Sequence, residues 1–286
     1  MGALFGPSGN SEAFFAAGKK HTYEEPEWIA SLGLDAFEYS AGNGITGSMA
    51  VFEKIGAEAK KHNILLSFHT PYFISLSGIE RETRLKSLNY IKQSVAAAEA
   101  MGADIIVIHA GSASKISREE ATELAKDTLW RALEDNPDTT VRFGVETMGK
   151  KNQLGTLDEV LDICSIDRRL CPVVDFGHLN ARDCGHVFDT TDDYMRVFDK
   201  ISDKLGPDYA ENLHCHFSKI EYTAAGEKKH LTFEDEVYGP RYEPLSEAIA
   251  LLGVSPRIMC ESQGTQAADA LMMKKHYLSI IGKERG

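Results

Sequence analysis

Eight short runs of apolar and β-branched residues recur along the 286-residue chain. The longer segments between them have helical periodicity; between residues 80 and 101, for example, Leu85, Leu88 and Ile91 recur at three-residue steps. This alternation predicts a closed (β/α)₈ TIM barrel, because eight parallel strands joined by right-handed helical crossovers close on themselves. The runs cover residues 3–9, 34–40, 64–70, 104–110, 141–147, 171–177, 211–219 and 255–262.

Length and composition favour a single domain. Since 43% of the residues are hydrophobic, the chain can bury a large core, and α/β barrels of this length are usually one unit. We therefore expect one α/β barrel domain over residues 1–286, with an open, doubly wound sheet as the alternative fold. The segment after the seventh run, residues 220–244, is long for a loop, and we expect it to be functional.

The composition also limits the compartment and the partners. The first residues lack a basic leader, and no stretch reaches the roughly 20 apolar residues of a membrane span. The five cysteines have no paired spacing, which is typical of reduced thiols. We therefore expect a cytoplasmic protein that does not bind membranes. Because the formal net charge is −12, binding to a polyanion would depend on a local basic surface.

Residues of the types that bind metals end six consecutive runs. In a barrel the catalytic side chains gather at the carboxyl ends of the strands, so these residues are expected to converge. A lone histidine after an apolar strand is more often a core residue, and only the joint pattern indicates a site. The residues are His69, His109, Glu146, Asp175 with His178, His214 with His216, and Glu261.

The three acidic residues of this set indicate a bound cation. A buried carboxylate costs several kcal/mol unless it is paired or binds a cation, and the only basic residue at these strand ends is Lys219. Imidazole together with carboxylate suits Zn²⁺, Mn²⁺ or Fe²⁺, whereas Mg²⁺ and Ca²⁺ favour oxygen ligands alone. Since the ligands exceed the four of one tetrahedral zinc, we predict a cluster of two or three ions.

The motifs HTPYF, IVIHAGS, VETMG, VVDFGH, HCHF and IMCES occur in this order over residues 64–262. They resemble the motifs of the endonuclease IV family of metal-dependent apurinic/apyrimidinic (AP) endonucleases. The resemblance implies a TIM barrel with three zinc-type ions that cleaves the DNA phosphodiester on the 5′ side of an abasic site. It further implies double-stranded DNA with abasic sites as the substrate, and a monomer without a protein partner.

The resemblance also implies a set of ligands. One ion would take His69, His109 and Glu146, and Glu146 would bridge to a second ion. The further ligands of the second ion would be Asp175, His216 and Glu261. Glu146 and Glu261 are the predicted catalytic residues, and Glu146 would orient the attacking water.

The third ion is the point at which the sequence departs from the family. His178 would bind it, but the family's Asp-x-His element after the seventh strand is replaced by GEKKH, in which Glu227 and His230 are three residues apart. Either Glu227 and His230 replace that pair, or the third site is altered. The first strand reads LFGPSGN instead of Gly-x-His-x-Ser, and EYSAGNGITGS lacks the basic and aromatic recognition residues of the family.

Several residues of the same rim are candidates for DNA contacts. Tyr72 matches a position from which the family inserts a side chain into distorted DNA. Basic residues in the rim loops would contact phosphates, although each alone could be an ordinary solvated side chain. The basic candidates are Lys115, Lys150, Lys151, Arg182, Lys228 and Lys229, with Arg241 nearby.

Two other functions are consistent with these residues. Sugar isomerases and epimerases of the same barrel superfamily resemble this chain in DFGHLN and bind a single ion; their ligand pattern would need only Glu146, Asp175, His216 and Glu261. That interpretation leaves His69 and His109 without a role as metal ligands. A degenerate barrel that binds metal or DNA without turnover is the second alternative, since the first strand and GEKKH depart from the family.

Overall fold

The computed structural model describes residues 2–283, and eight of its strands form a parallel barrel. The strands in chain order are β1 (Leu4–Pro7), β2 (Ala36–Ser40), β3 (Leu65–His69), β4 (Ile105–His109), β5 (Arg142–Glu146), β6 (Leu170–Asp175), β7 (His214–Phe217), β8 (Ile220–Thr223), β9 (Gly226–His230) and β10 (Arg257–Cys260). Barrel neighbours follow the order β1-β10-β7-β6-β5-β4-β3-β2. Each predicted run overlaps one barrel strand, so the predicted TIM barrel is confirmed.

The barrel closes between β1 and β2. Ser8 and Glu38 form a parallel bridge, and the Gly9 amide donates to the Glu38 carbonyl at 2.9 Å. A Cβ on Gly6 would lie 1.7 Å from the Ala36 carbonyl oxygen. Glycine at this position therefore lets the two backbones approach closely enough to complete the barrel.

Helices surround the strands. They are α1 (Glu12–Ala16), a 3₁₀ helix (Thr22–Glu24), α2 (Glu25–Ser31), α3 (Met49–His62), α4 (Arg81–Met101), α5 (Arg118–Glu134), α6 (Leu157–Cys164), α7 (Phe176–Arg182), α8 (Thr191–Leu205), α9 (Pro207–Glu211), α10 (Glu243–Leu252) and α11 (Gln266–Lys283). On α4, Ile91, Val95 and Ala98 are buried on one face and Leu88 is half-buried. Leu85, in the first turns of the helix, is 43% exposed, so the predicted periodicity is confirmed only from Leu88 onward. Gly102 in the left-handed conformation ends this helix.

No helix within residues 2–283 is long and apolar enough to cross a lipid bilayer. All five cysteines are free thiols. The single domain expected over residues 1–286 includes residues 1 and 284–286, which lie outside the described residues, and it stays a prediction.

Strands β8 and β9 form an antiparallel hairpin in the segment that the sequence indicated as a long loop. The Glu227 amide donates to the Gly149 carbonyl at 3.0 Å, and the Lys151 amide donates to Ala225 at 3.1 Å. A Cβ on Gly226, whose φ is +94°, would lie 2.2 Å from that Gly149 oxygen. The hairpin is thus fixed against the loop after β5, next to the carboxyl ends of the barrel strands.

Candidate metal centre

The nine predicted metal ligands all lie at the carboxyl end of the barrel. A cavity of about 290 Å³ opens there, and seven of the nine line it: His69, His109, Glu146, His178, Glu227, His230 and Glu261. Asp175 and His216 lie deeper and are fully buried. The strand order explains the convergence, because β3 to β7 and β10 are sequential neighbours whose last residues meet at one rim.

The first group of ligands consists of His69, His109 and Glu146. Both imidazole Nε2 atoms lie 3.3 Å from Glu146 Oε2. His69 Nδ1 donates to the Thr70 carbonyl at 2.9 Å, which leaves the lone pair of Nε2 facing a carboxylate oxygen. Only a proton or a cation between them makes that contact favourable.

The second group consists of Glu146, Asp175, His216 and Glu261, whose ligand atoms all lie within 4.8 Å of one another. His216 Nδ1 is 3.0 Å from Glu146 Oε1 and 3.4 Å from Glu261 Oε1. Asp175 Oδ2 is buried, yet it accepts no hydrogen bond from any residue in the described range. A buried carboxylate oxygen without a donor is the kind of atom that a cation stabilises.

Glu146 links the two groups. Its Oε2 faces His69 and His109, whereas its Oε1 faces His216 and also lies 3.5 Å from His178 Nδ1. One carboxylate thus presents a separate oxygen to each ligand group. This orientation is what a bridging ligand requires.

The third group contains His178, His230 and Glu261, with Glu227 Oε2 3.5 Å from His178 Nε2. His178 Nδ1 donates to the Thr147 carbonyl at 3.0 Å, so its Nε2 is the nitrogen that faces this group. The structure brings both residues of the unusual GEKKH element to the site.

A β-bulge explains how residues three apart can face the same site. In the hairpin register, Tyr222 pairs with Glu227 and Glu221 pairs with Lys229, so Lys228 is an extra residue in β9. Side chains of a regular strand alternate between faces, and one inserted residue places positions i and i+3 on the same face. Lys228 and Lys229 point to solvent, whereas Glu227 and His230 face the cavity.

Glu38 of β2 is a site residue that the sequence reasoning missed. Its Oε1 lies 3.0 Å from His216 Nε2, and its Oε2 lies 3.0 Å from His214 Nε2. The hydroxyls of Ser8 and Ser67 also donate to it. Glu38 holds the His216 ring so that Nδ1 faces the second group, as carboxylates behind metal-binding histidines do. A single acid at the centre of the segment AFEYS was the signal in the sequence.

Contacts between imidazoles and carboxylates shift the pKa values of the groups at the carboxyl end of the barrel. Burial opposes ionisation of Glu146, but the His216 charge and hydrogen bonds from His178, His216 and His69 outweigh it and hold the Glu146 pKa well below its usual range. Burial lowers the pKa of His109 to about 4. For His69, burial is outweighed by the hydrogen bond and charge of Glu146, which raise its pKa to about 9. The donor set of imidazoles and carboxylates fits Zn²⁺, Mn²⁺ or Fe²⁺.

The candidate DNA-contact residues differ in position. Tyr72, whose side chain is 59% exposed, lines the mouth of the metal cavity together with Lys150. Lys151 is exposed and its Nζ lies 3.4 Å from Cys184 Sγ. The other three candidate lysines are exposed and do not line the cavity: Lys115 lies beside the N-terminal end of α5, and Lys228 and Lys229 lie on β9.

The prediction that Arg182 contacts DNA needs correction. The side chain is buried, and its guanidinium donates to the backbone carbonyls of Met148, Lys150, Lys151 and Gln153 at 2.8 to 3.3 Å. Arg182 therefore stabilises the loop after β5 and is not available to a phosphate. The sequence could not indicate this, because its partners are backbone atoms that carry no side-chain signal.

The profile of the xylose isomerase-like TIM barrel family matches residues 26–276. The chain belongs to this family. It is 30% identical over 164 residues to the probable endonuclease 4 of Acholeplasma laidlawii, which covers 56% of this chain and 55% of that protein.

Two solved structures share the fold of this xylose isomerase-like barrel protein. Endonuclease IV from Thermus thermophilus matches with a TM-score of 0.69 at 18% identity, over 91% of this chain and 94% of that one. A D-tagatose 3-epimerase-like protein matches with a TM-score of 0.70, again at 18% identity and over 91% and 94% of the two chains. At these identities the likeness establishes the fold and leaves the chemistry to the site residues.

Proposed function

We propose that this protein is a metal-dependent, endonuclease IV-like hydrolase that cleaves the DNA phosphodiester 5′ to an abasic site. The observation that carries the proposal is the first ligand group, in which His69 and His109 converge on Glu146 Oε2. A single-ion sugar enzyme has no use for that group. The sequence similarity to a probable endonuclease 4 also supports the proposal.

The residues would hold two or three zinc-type ions. When bound, such ions neutralise a phosphate and lower the pKa of a water toward neutrality. The chain itself supplies the positions: Glu146, kept ionised by its imidazole neighbours, orients the attacking water, and Glu261 lies at the wall of the cavity where the second and third groups meet.

The mouth of the cavity would receive the DNA. Tyr72 is exposed at the rim and would contact the distorted duplex beside the abasic site. Lys150 shares that rim, and Lys115, Lys151, Lys228 and Lys229 are the remaining proposed phosphate contacts. Because the protein carries a formal charge of −12, binding is expected to depend on these local charges and to weaken with salt. The proposal includes a monomeric, cytoplasmic enzyme without a protein partner.

Incision of a duplex with one abasic site tests the proposal. We expect the metal-loaded protein to cut 5′ to the site, and Glu146→Gln to reduce the rate by about 1,000-fold or more, because it removes the bridging charge. Glu123→Gln, at an exposed position on α5, is the matched control and should cut like the wild type. Absence of incision by the metal-loaded wild type would contradict the proposal.

A single-metal sugar epimerase is the second candidate. The second group alone offers the Glu, Asp, His and Glu ligands of one ion within 4.8 Å, and the fold is shared with a D-tagatose 3-epimerase-like protein. Glu146 and Glu261 would then flank a small polyol and move a proton at the carbon next to its carbonyl. Epimerisation that survives in His69→Ala/His109→Ala, without incision, would favour this candidate.

A further inference from the structure

The loop after β5, residues 148–155, contacts the third group through Gly149. A Cβ at this position would lie 2.8 Å from Glu227 Oε2 and 3.1 Å from His178 Cδ2. The Gly149 carbonyl also accepts from the Glu227 amide at 3.0 Å. Because no free space separates the glycine from the two side chains, its position determines how closely Glu227 and His178 can approach each other.

One buried side chain, Arg182, holds the residues on both sides of that glycine. Its Nη1 donates to the carbonyls of Met148 and Lys150 at 3.1 and 2.8 Å. Its Nη2 donates to the carbonyls of Lys151 and Gln153 at 3.3 and 3.0 Å. Arg182 is only 6% exposed, and hydrogen bonds from a charged donor are strong where water is excluded. The guanidinium therefore fixes the backbone of the loop.

Helix α7 carries both this arginine and a ligand of the third group. Arg182 follows His178 by four residues on α7, so the two side chains lie on the same face of the helix. Arg182 connects α7 to the loop, and Gly149 connects the loop to the hairpin. The hairpin returns to α7, since Glu227 Oε2 lies 3.5 Å from His178 Nε2. The contacts thus form a closed ring around the third group.

A second arginine, Arg118 on α5, binds the same loop but not the residues next to Gly149. It donates to the carbonyls of Lys151 and Gln153 at 3.1 and 2.9 Å. The side chain is half-buried and is paired with the Glu159 carboxylate. Comparison of the two arginines therefore separates general stabilisation of the loop from the placement of its glycine.

We infer that Arg182 is a positioning residue of the third group. By fixing the carbonyls on both sides of Gly149, it holds Glu227 and His178 in the arrangement that would bind the third ion. The inference rests on the proposed function, whose ions it concerns, but its test requires no incision of DNA. Loss of a residue that orients metal ligands typically weakens metal binding by about 10- to 100-fold.

Ion counts on the metal-loaded, full-length protein, dialysed against a graded series of Zn²⁺ buffers, test this role. We expect Arg182→Ala to bind its weakest ion about 10- to 100-fold less tightly than the wild type. Arg182→Lys, which keeps a buried cation with hydrogen-bond donors, should recover part of that affinity. Arg118→Ala should bind like the wild type, and so should Arg196→Ala, at an exposed arginine of α8.

A double variant separates positioning from a general loss of structure. His230→Ala removes a ligand of the third group outright, so Arg182→Ala/His230→Ala should bind its ions no more weakly than His230→Ala alone. Urea unfolding identifies the variants that fold, and Arg182→Lys takes the place of Arg182→Ala in both comparisons if the alanine variant does not.

Three results would overturn the inference. They are wild-type affinity for every ion in a folded Arg182 variant, a further loss of ions in the double variant, and an ion count that His230→Ala leaves unchanged, because the third group would then hold no ion. Failure of the proposed function looks different: a wild type that binds all its ions but cuts no abasic-site duplex would contradict that proposal and leave the role of Arg182 intact.

Discussion

The two ends of the barrel treat buried charge differently. At the amino end, the buried Arg257 guanidinium is paired with the half-exposed Asp104 carboxylate through two contacts of 2.7 and 2.8 Å. At the carboxyl end, Glu38, Glu146 and Asp175 are fully buried, and their contacts with ionisable groups are with imidazoles. Where an arginine already supplies the cation, no metal is required. Where only imidazoles face the carboxylates, the arrangement is suited to a metal ion.

Glu25 shows a third way to keep a carboxylate buried. Neither of its oxygens has a hydrogen-bond partner within the described part of the chain, and burial raises its pKa to about 8. A proton therefore neutralises Glu25 near neutral pH, whereas the imidazoles hold the pKa of Glu146 well below its usual range. The comparison separates carboxylates prepared for a cation from one that is merely buried.

The double variant Lys229→His/His230→Lys should disrupt the third ligand group. Because of the bulge, position 229 points to solvent, so the exchange moves the imidazole to the opposite face of β9 from Glu227. We expect the loss of about one bound ion per chain and a fall in incision of about 100-fold or more, measured by elemental mass spectrometry and the duplex assay. Lys228→Ala keeps the bulge and should retain both. Full ion content in the exchanged variant would contradict the assignment of the third group.

Glu25→Gln should stabilise the protein at high pH. Since the folded pKa of about 8 exceeds the unfolded value, wild-type stability falls as pH rises between these two values and stays reduced above them. We expect the variant to exceed the wild type by on the order of 2 to 4 kcal/mol in free energy of unfolding at about pH 9, and to match it near pH 5. Urea unfolding at both pH values measures this.

Glu27→Gln is the control for Glu25, because Glu27 is exposed on the same helix. Its effect should stay within about 0.5 kcal/mol. Equal pH dependence of wild type and Glu25→Gln would show that Glu25 finds a partner in solution.

Asp104→Asn should slightly lower the free energy of unfolding, because it removes the charge that pairs with Arg257. Although burial opposes its ionisation, the Arg257 hydrogen bonds and charge lower the Asp104 pKa. The side chain is 49% exposed, so we expect a loss of only about 1 to 2 kcal/mol at neutral pH. The stabilisation is present above the unfolded pKa of about 4 and is lost as pH falls through the lower folded value, so the two proteins should converge in acid unfolding.

Asp208 and Asp104 line one cavity at the amino end of the barrel, and Asp208→Asn is the control for Asp104. Metal content should stay unchanged in both variants, since the amino end has its own cations. A change in metal content in Asp104→Asn would erase the distinction between the two ends.

The sequence predicted the fold and indicated which residues converge at the candidate metal centre, because both depend on local patterns. Apolar runs at regular spacing predict the strands, and His69, His109 or Glu146 can be recognised as the last but one residue of such a run. The role of Glu38 was not recognised from the sequence, because it depends on His214 and His216. The hydrogen bond to His214 spans 176 positions. The bulge at Lys228 and the burial of Arg182 also depend on backbone pairing between distant segments, which no local pattern records.

Metal stoichiometry tests the central claim most directly. Elemental mass spectrometry of the purified wild type and of His69→Ala/His109→Ala counts the ions per chain. The account predicts two or three ions in the wild type and about one fewer in the double variant, with loss of incision at abasic sites. A single ion that the double substitution leaves in place, without incision by either protein, would contradict the multinuclear centre.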